Sequence, residues 1–233
     1  MPNDVIQRAK ALTFDLFGTV LDLAGSLTPP IAKFLQSKSS NVAAETFWAS
    51  WRARQRIEQY QDTIVMLGHS GYLETARRAL VYSLALHHVD ASDSEADQLM
   101  TAWDDLSPFP EVLAALERLG QRFQLVALSN GNRKFLEHLV TNRIKWEFDD
   151  VISVDTMGAF KPHPSVYRRA ARIRGLETHE CLMVSANSFD VMGARACGMR
   201  GAFVNRLNLP YEDSPFVPDV TVTDFTQLAD AIM

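Results

Sequence analysis

The sequence predicts an α/β fold: a mainly parallel sheet with helices between its strands, interrupted once by a helical insertion. Three observations predict it. Short apolar runs that end in turn or polar residues recur along the chain. Amphipathic helical patterns separate most of them. One long segment, residues 24–106, breaks the alternation with helical periodicity and no convincing strand.

The first apolar run is Leu12–Phe17. In the insertion, Phe47, Trp48 and Trp51, then Ile57 and Tyr60, mark one helix; Tyr72–Leu86 marks a second and Ala96–Trp103 a third. The turn Ser107–Val112 closes the segment. Helical faces then follow at Val112, Leu113, Leu116 and Leu119; at Phe135, Leu136, Leu139 and Val140; and at Val166, Tyr167, Ala170, Ala171 and Ile173. Strand-like runs lie between and after them at Gln124–Leu128, Val151–Val154, Cys181–Val184, Gly201–Val204 and Val220–Val222. The expected division is an α/β domain, residues 1–23 and 107–233, and a helical domain, residues 24–106. A folded insertion of that length is a natural lid. No internal repeat or low-complexity tract interrupts the pattern.

The 233 residues, 47% hydrophobic, can bury a sizeable core. A net charge of −5 without a basic stripe argues against nucleic acid and anionic membrane surfaces as partners. The basic cluster Arg52, Arg54 and Arg56 sits in a mixed segment. Cys181 and Cys197 make neither a disulfide framework nor a CxxC pair, and their apolar surroundings predict buried free thiols. The six histidines lack zinc-ligand spacing, and His163 reads as structural. The opening MPNDVIQRAK has no apolar signal core, and no apolar run is long enough to span a bilayer. A soluble, cytoplasmic setting is the default expectation.

In open α/β sheets, ligands bind beyond the carboxyl ends of the strands. Asp15 follows the first run, with Gly18 and Thr19 next. Ser129, Asn130 and Gly131 follow Leu128, and Lys161 follows Val154 across a loop. Ser185, Asn187 and Asp190 follow Val184. Each set has a bland alternative. A single Asp at a strand end caps helices, and Asp190 would cap one beginning near Val191. Ser-Asn-Gly is ordinary turn chemistry. A single Lys is usually solvated. Four sets at four strand ends are harder to explain as caps.

FDLFGTVLD, LSNGN, KPHPSVY and VSANSFD resemble, in order, the four motifs of the haloacid dehalogenase superfamily. The resemblance implies a Rossmann-like core with a helical cap inserted after the first strand. Most superfamily members are magnesium phosphatases with a second Asp where this chain has Phe17, and with two carboxylates where it has Asn187 and Asp190. Magnesium favours carboxylate oxygens. The substitutions instead resemble the hydrolytic (S)-2-haloacid dehalogenases, which need no metal and no cofactor. There an aromatic, commonly Tyr, stands at Phe17, and S-x-N-x-x-D matches Ser185, Asn187 and Asp190. Phe189 stands where Trp is more usual. Trp51-Arg52 matches a cap dipeptide, although Arg52 also suits a solvated helix face, Arg56 lying four residues on.

The resemblance implies hydrolysis of short 2-halo acids to 2-hydroxy acids, with water as the second substrate and Asp15 as covalent nucleophile. Lys161 would be its charge partner. Asp190 would pair with Lys161 and help activate water. Thr19, Ser185 and Asn187 would orient the group, and Tyr167 would support it. Ser129 would bind the substrate carboxylate, Arg52 and Asn130 the halide, and Phe17 and Phe189 the apolar wall. Asp22 would lie at the hinge into the cap, and Trp48 and Tyr60 in the cap core. A homodimer is implied by the resemblance alone. The alternative enzyme is a superfamily phosphatase acting on a small phosphomonoester. A catalytically quiet binding protein would lack Asp15 or Lys161, and both are present.

Overall fold

The computed structural model describes Ile6 and residues 8–233. Most of the stretch read for a signal core therefore lies outside the described residues. The chain forms two compact units, one running to Leu21 and resuming at Pro108–Met233, the other Asp22–Ser107.

The first unit opens with β1 (Ala11–Phe14). The chain leaves through β2 (Leu21–Asp22) into the second unit, which holds α1 (Leu23–Ser37), α2 (Ala44–Val65), α3 (Tyr72–Leu86) and α4 (Asp93–Met100). It returns through β3 (Ser107–Pro108). Then follow α5 (Val112–Leu119), β4 (Gln124–Ser129), α6 (Arg133–His138), β5 (Asp150–Ser153), α7 (Pro164–Ile173), β6 (Cys181–Ser185), α8 (Ser188–Ala196), β7 (Arg200–Val204), β8 (Val220–Val222) and α9 (Phe225–Ile232).

The six-stranded sheet has the order β5-β4-β1-β6-β7-β8, with every neighbouring pair parallel. Leu12 stands opposite Leu125 on one side and Leu182 on the other. All four residues of β1 are buried, as expected of a central strand covered on both faces. The strand order reverses at β1, so the carboxyl end of β1 is the switch point where α/β sheets bind ligands.

Several details depart from the sequence reading. The first strand stops at Phe14, and Asp15 to Leu21 form a tight turn. Leu113 and Ile173 are exposed; Ala115 takes the inner position in α5. Cys181 is buried but Cys197 is half-exposed. The helix carrying Asp190 begins at Ser188, so Asp190 lies in its first turn and does not cap it.

The second unit is helical, and its first helix is not legible in the sequence because Pro29 and Pro30, helix breakers by local preference, lie inside it. What holds α1 is Leu23, Leu27, Ile31 and Leu35, four apart and all buried. Asp22 caps it, accepting from the Gly25 amide at 2.8 Å. Aromatic residues fill this unit's core. Trp51 and Trp103 meet edge to face at 5.9 Å, Tyr72 meets Trp103 at 5.6 Å, and the Trp51 indole donates to the Ala76 carbonyl at 2.7 Å. Trp48 and Tyr60 are only half-buried. Among the described residues no helix is long and apolar enough to cross a membrane.

Candidate active site

Asp15 continues the β1 ladder, its amide donating to the Val184 carbonyl at 3.0 Å. The chain then turns back sharply: the amides of Thr19, Val20 and Leu21 all point at the Leu16 carbonyl, with Gly18 in the left-handed region at φ 87°. This turn places Thr19 beside Asp15. The Thr19 hydroxyl donates to Asp15 Oδ2 at 2.9 Å and accepts from the Ala186 amide at 2.8 Å. Asn187 Nδ2 also donates to Asp15 Oδ2, at 2.9 Å. Asn187 sits at the cap position of α8, yet its side chain does not cap the helix. Ser185 holds it from behind, its hydroxyl accepting the Asn187 amide at 3.1 Å.

Lys161 Nζ lies 3.3 Å from Asp15 Oδ1 and 2.9 Å from Asp190 Oδ2. Tyr167 donates to the other Asp190 oxygen at 2.8 Å. Lys161 and Asp190 are each 1% exposed and Asp15 5%. An ammonium and two carboxylates are thus withdrawn from water together, an arrangement that stands only when each is paired and hydrogen-bonded. Burial pushes the Asp190 carboxyl above its ordinary range, with Lys161 pulling the other way. Burial, then Asp190, holds the Tyr167 hydroxyl well above its usual value, so it remains a proton-bearing donor.

Local sequence explains the placement. The Lys161 amide donates to Asn130 Oδ1 at 2.9 Å, joining the loop after β4 to the loop after β5. His163 caps α7, accepting from the Ser165 amide, which aims Tyr167 inward from the first turns of that helix. Gly193 lets α8 approach closely: a Cβ there would lie 2.6 Å from Pro162 Cβ and 2.9 Å from the Tyr167 oxygen.

The remaining sequence-derived residues distribute as follows. The Ser129 hydroxyl, at the end of β4, is buried with no hydrogen-bond partner among the described residues. Phe17 is buried and stacks on Phe135 at 5.9 Å. A Cβ on Gly131 would come 3.2 Å from the Phe17 ring, so glycine makes room for that wall. Phe189 is half-buried beside Asp190 in sequence. Arg52 belongs to the helical unit, where Nη1 donates to Gln55 Oε1 at 2.8 Å and to the Tyr72 hydroxyl at 3.3 Å. Among the described residues no three His, Cys, Asp or Glu side chains group as metal ligands.

Two polar residues of this region escaped the sequence reading. Ser153 donates to the Gly131 carbonyl at 2.7 Å, fixing the turn after β4. Arg206 reaches the Thr19 carbonyl with two nitrogens, at 2.9 and 3.2 Å. The sequence carries a signal for Arg206: it lies just beyond the apolar run Gly201–Val204, a fifth strand end beside the four that bear Asp15, Ser129, Lys161 and Ser185.

Residues 9–198 match the family model of the haloacid dehalogenase-like hydrolases. The chain belongs to that family. It is 31% identical to haloacetate dehalogenase H-2 of Moraxella sp. (strain B), over 93% of this chain and 95% of that protein. It is 31% identical to the (S)-2-haloacid dehalogenase of Xanthobacter autotrophicus, over 85% and 76%. The structure of L-2-haloacid dehalogenase from X. autotrophicus with chloropropionic acid covalently bound superposes with a TM-score of 0.81 at 26% identity, covering 95% of this chain and 97% of that one. These likenesses place this haloacid dehalogenase-like hydrolase in the L-2-haloacid dehalogenase family.

Proposed function

We propose that this hydrolase converts short 2-haloalkanoic acids to 2-hydroxy acids through an ester on Asp15. The observation that carries the reading is the setting of Asp15: a buried carboxylate facing Lys161, with an amide donor, Asn187 Nδ2, on its other oxygen. In the first step Asp15 attacks C2, forming a C–O bond while halide leaves with the bonding electrons. In the second, water adds to the ester carbonyl carbon and passes one proton to Asp190; the acyl C–O bond then breaks, the departing alkoxide takes the other water proton to become the 2-hydroxy acid, the Asp15 carboxylate re-forms, and Asp190 returns its proton to solvent. The raised Asp190 carboxyl suits a proton acceptor. Splitting the displacement this way makes two easier steps of one hard one. Holding the carboxylate in line is worth up to about 7–11 kcal/mol in the best intramolecular reactions.

The other roles are those the resemblance implies. Ser129, with its buried hydroxyl unused, takes the substrate carboxylate. Asn130 and Arg52 receive the halide, and Phe17 and Phe189 form the apolar wall. Thr19, Ser185 and Asn187 hold Asp15, and Tyr167 holds Asp190. The covalent adduct in the X. autotrophicus enzyme supports an ester route.

A magnesium phosphatase is the competing reading, and the residues do not fit it. The place of its acid is Phe17, and Asn187 directs an N–H donor at Asp15 where a cation needs an oxygen lone pair. The Lys161 ammonium already bridges the two carboxylates.

The test is one turnover in heavy-oxygen water with enzyme in excess over 2-chloropropionate. Label should enter Asp15 and be nearly absent from product, and an S substrate should give the R product. Label in the product with Asp15 unlabelled would mean direct attack by water and would end the covalent reading.

A further inference from the structure

Arg206 has no part in the chemistry above, yet it is anchored as firmly as any residue that does. Its side chain is 11% exposed. Nε and Nη2 donate to the Thr19 carbonyl at 3.2 and 2.9 Å. Nη1 lies 2.8 Å from a Glu111 carboxylate oxygen. The guanidinium plane covers the Phe109 ring at 3.6 Å and approaches Phe225 at 5.4 Å. Its partners come from both ends of the break in the α/β unit: Thr19 precedes the helical insertion, and Phe109 and Glu111 follow it. The two ends are themselves joined, the Phe109 amide donating to the Val20 carbonyl at 3.0 Å.

We infer that Arg206 is a positioning residue for the nucleophile, acting through Thr19. The inference rests on the reading of Asp15 as nucleophile. Thr19 is gripped at two points, its carbonyl by Arg206 and its hydroxyl oxygen by the Ala186 amide. With both held, the hydroxyl proton has one useful direction, toward Asp15 Oδ2 at 2.9 Å. That bond, together with Asn187 Nδ2 on the same oxygen and Lys161 Nζ on the other, sets the rotation of the carboxylate and hence which oxygen meets C2. An arginine suits the task, because a rigid fork can take a carbonyl, a carboxylate and an aromatic face at once. A lysine can offer the charge and one donor direction, not the fork.

The test uses the full-length protein and three variants: Arg206→Lys, Arg206→Met, and Arg206→Met with Glu111→Gln, the last leaving no stranded carboxylate. Methionine keeps an apolar stem over Phe109 and removes the donors. In both methionine variants kcat on 2-chloropropionate should fall about ten- to a hundredfold, the scale of a misplaced reacting group, with KM within about twofold. Arg206→Lys should recover part of the loss. Exchange of the Ala186 amide with solvent should quicken, because its acceptor has moved, while amides in β1 and β4 stay protected. An unchanged kcat in a folded methionine variant would overturn the inference, as would a rise in KM alone. Should the parent protein release no halide from any 2-halo acid, the functional reading falls and the exchange data decide Arg206 independently. Faster exchange at Ala186, with Thr19 displaced from Asp15 in a variant crystal structure, then supports positioning; an unmoved Thr19 refutes it.

Discussion

At the scale of single residues, the site is a chain of charges that only make sense together. Lys161→Met leaves Asp15 and Asp190 facing each other without their cation. Turnover should vanish, and unfolding in urea should show about 3–5 kcal/mol less stability, the usual cost of breaking a buried pair from one side. Tyr167→Phe removes one donor from Asp190 and no charge, so it should fold normally and lose about tenfold in the hydrolysis step, read by accumulation of esterified enzyme. Arg52→Ala should slow chloride release more than bromide or iodide release; equal losses across the three would exclude a halide role. Most of these residues were legible as polar sets following apolar runs. Their pairings were not. Nothing in the spacing of Lys161 and Asp190 says that the ammonium bridges two carboxylates, since that depends on how α7 and α8 approach each other across Gly193.

At the scale of elements, the sheet was more legible than the helices around the break. Buried parallel strands read as continuous apolar runs, and six such runs were found where six strands lie. Helix α1 was not, because two adjacent prolines argue locally against what four buried aliphatics enforce. The balance between them is testable. Ile31→Ala, at a fully buried position, should cost about 2–5 kcal/mol in denaturant unfolding, while the exposed Lys33→Ala should cost almost nothing. Equal small effects would mean that the apolar face does not hold α1. Faces also proved narrower than periodicity suggested: Leu113 and Ile173 lie at helical spacing but point to water, because the covered stripe is set by the neighbouring surface and not by spacing alone.

At the scale of the whole molecule, turnover should be indifferent to metal. Halide release should persist after exhaustive dialysis against EDTA and gain nothing from added magnesium; loss and recovery would return the phosphatase reading to contention. The division of the chain has a separate consequence. The segments on either side of the helical insertion are already joined by the Phe109–Val20 bond. From the standpoint of the sheet, the entire helical unit is therefore a closed loop, and loop-closure entropy grows only logarithmically, by about 0.6 kcal/mol for each doubling of length. A short turn would have to double about four times to reach the length of this insertion, so closing it costs the sheet about 2–3 kcal/mol more than such a turn would. Heredity can treat such a junction as a socket: Asp15, Lys161 and Asp190 all belong to the α/β unit, so exchanging the inserted helices removes none of them and replaces only what the helical unit contributes, Arg52 included.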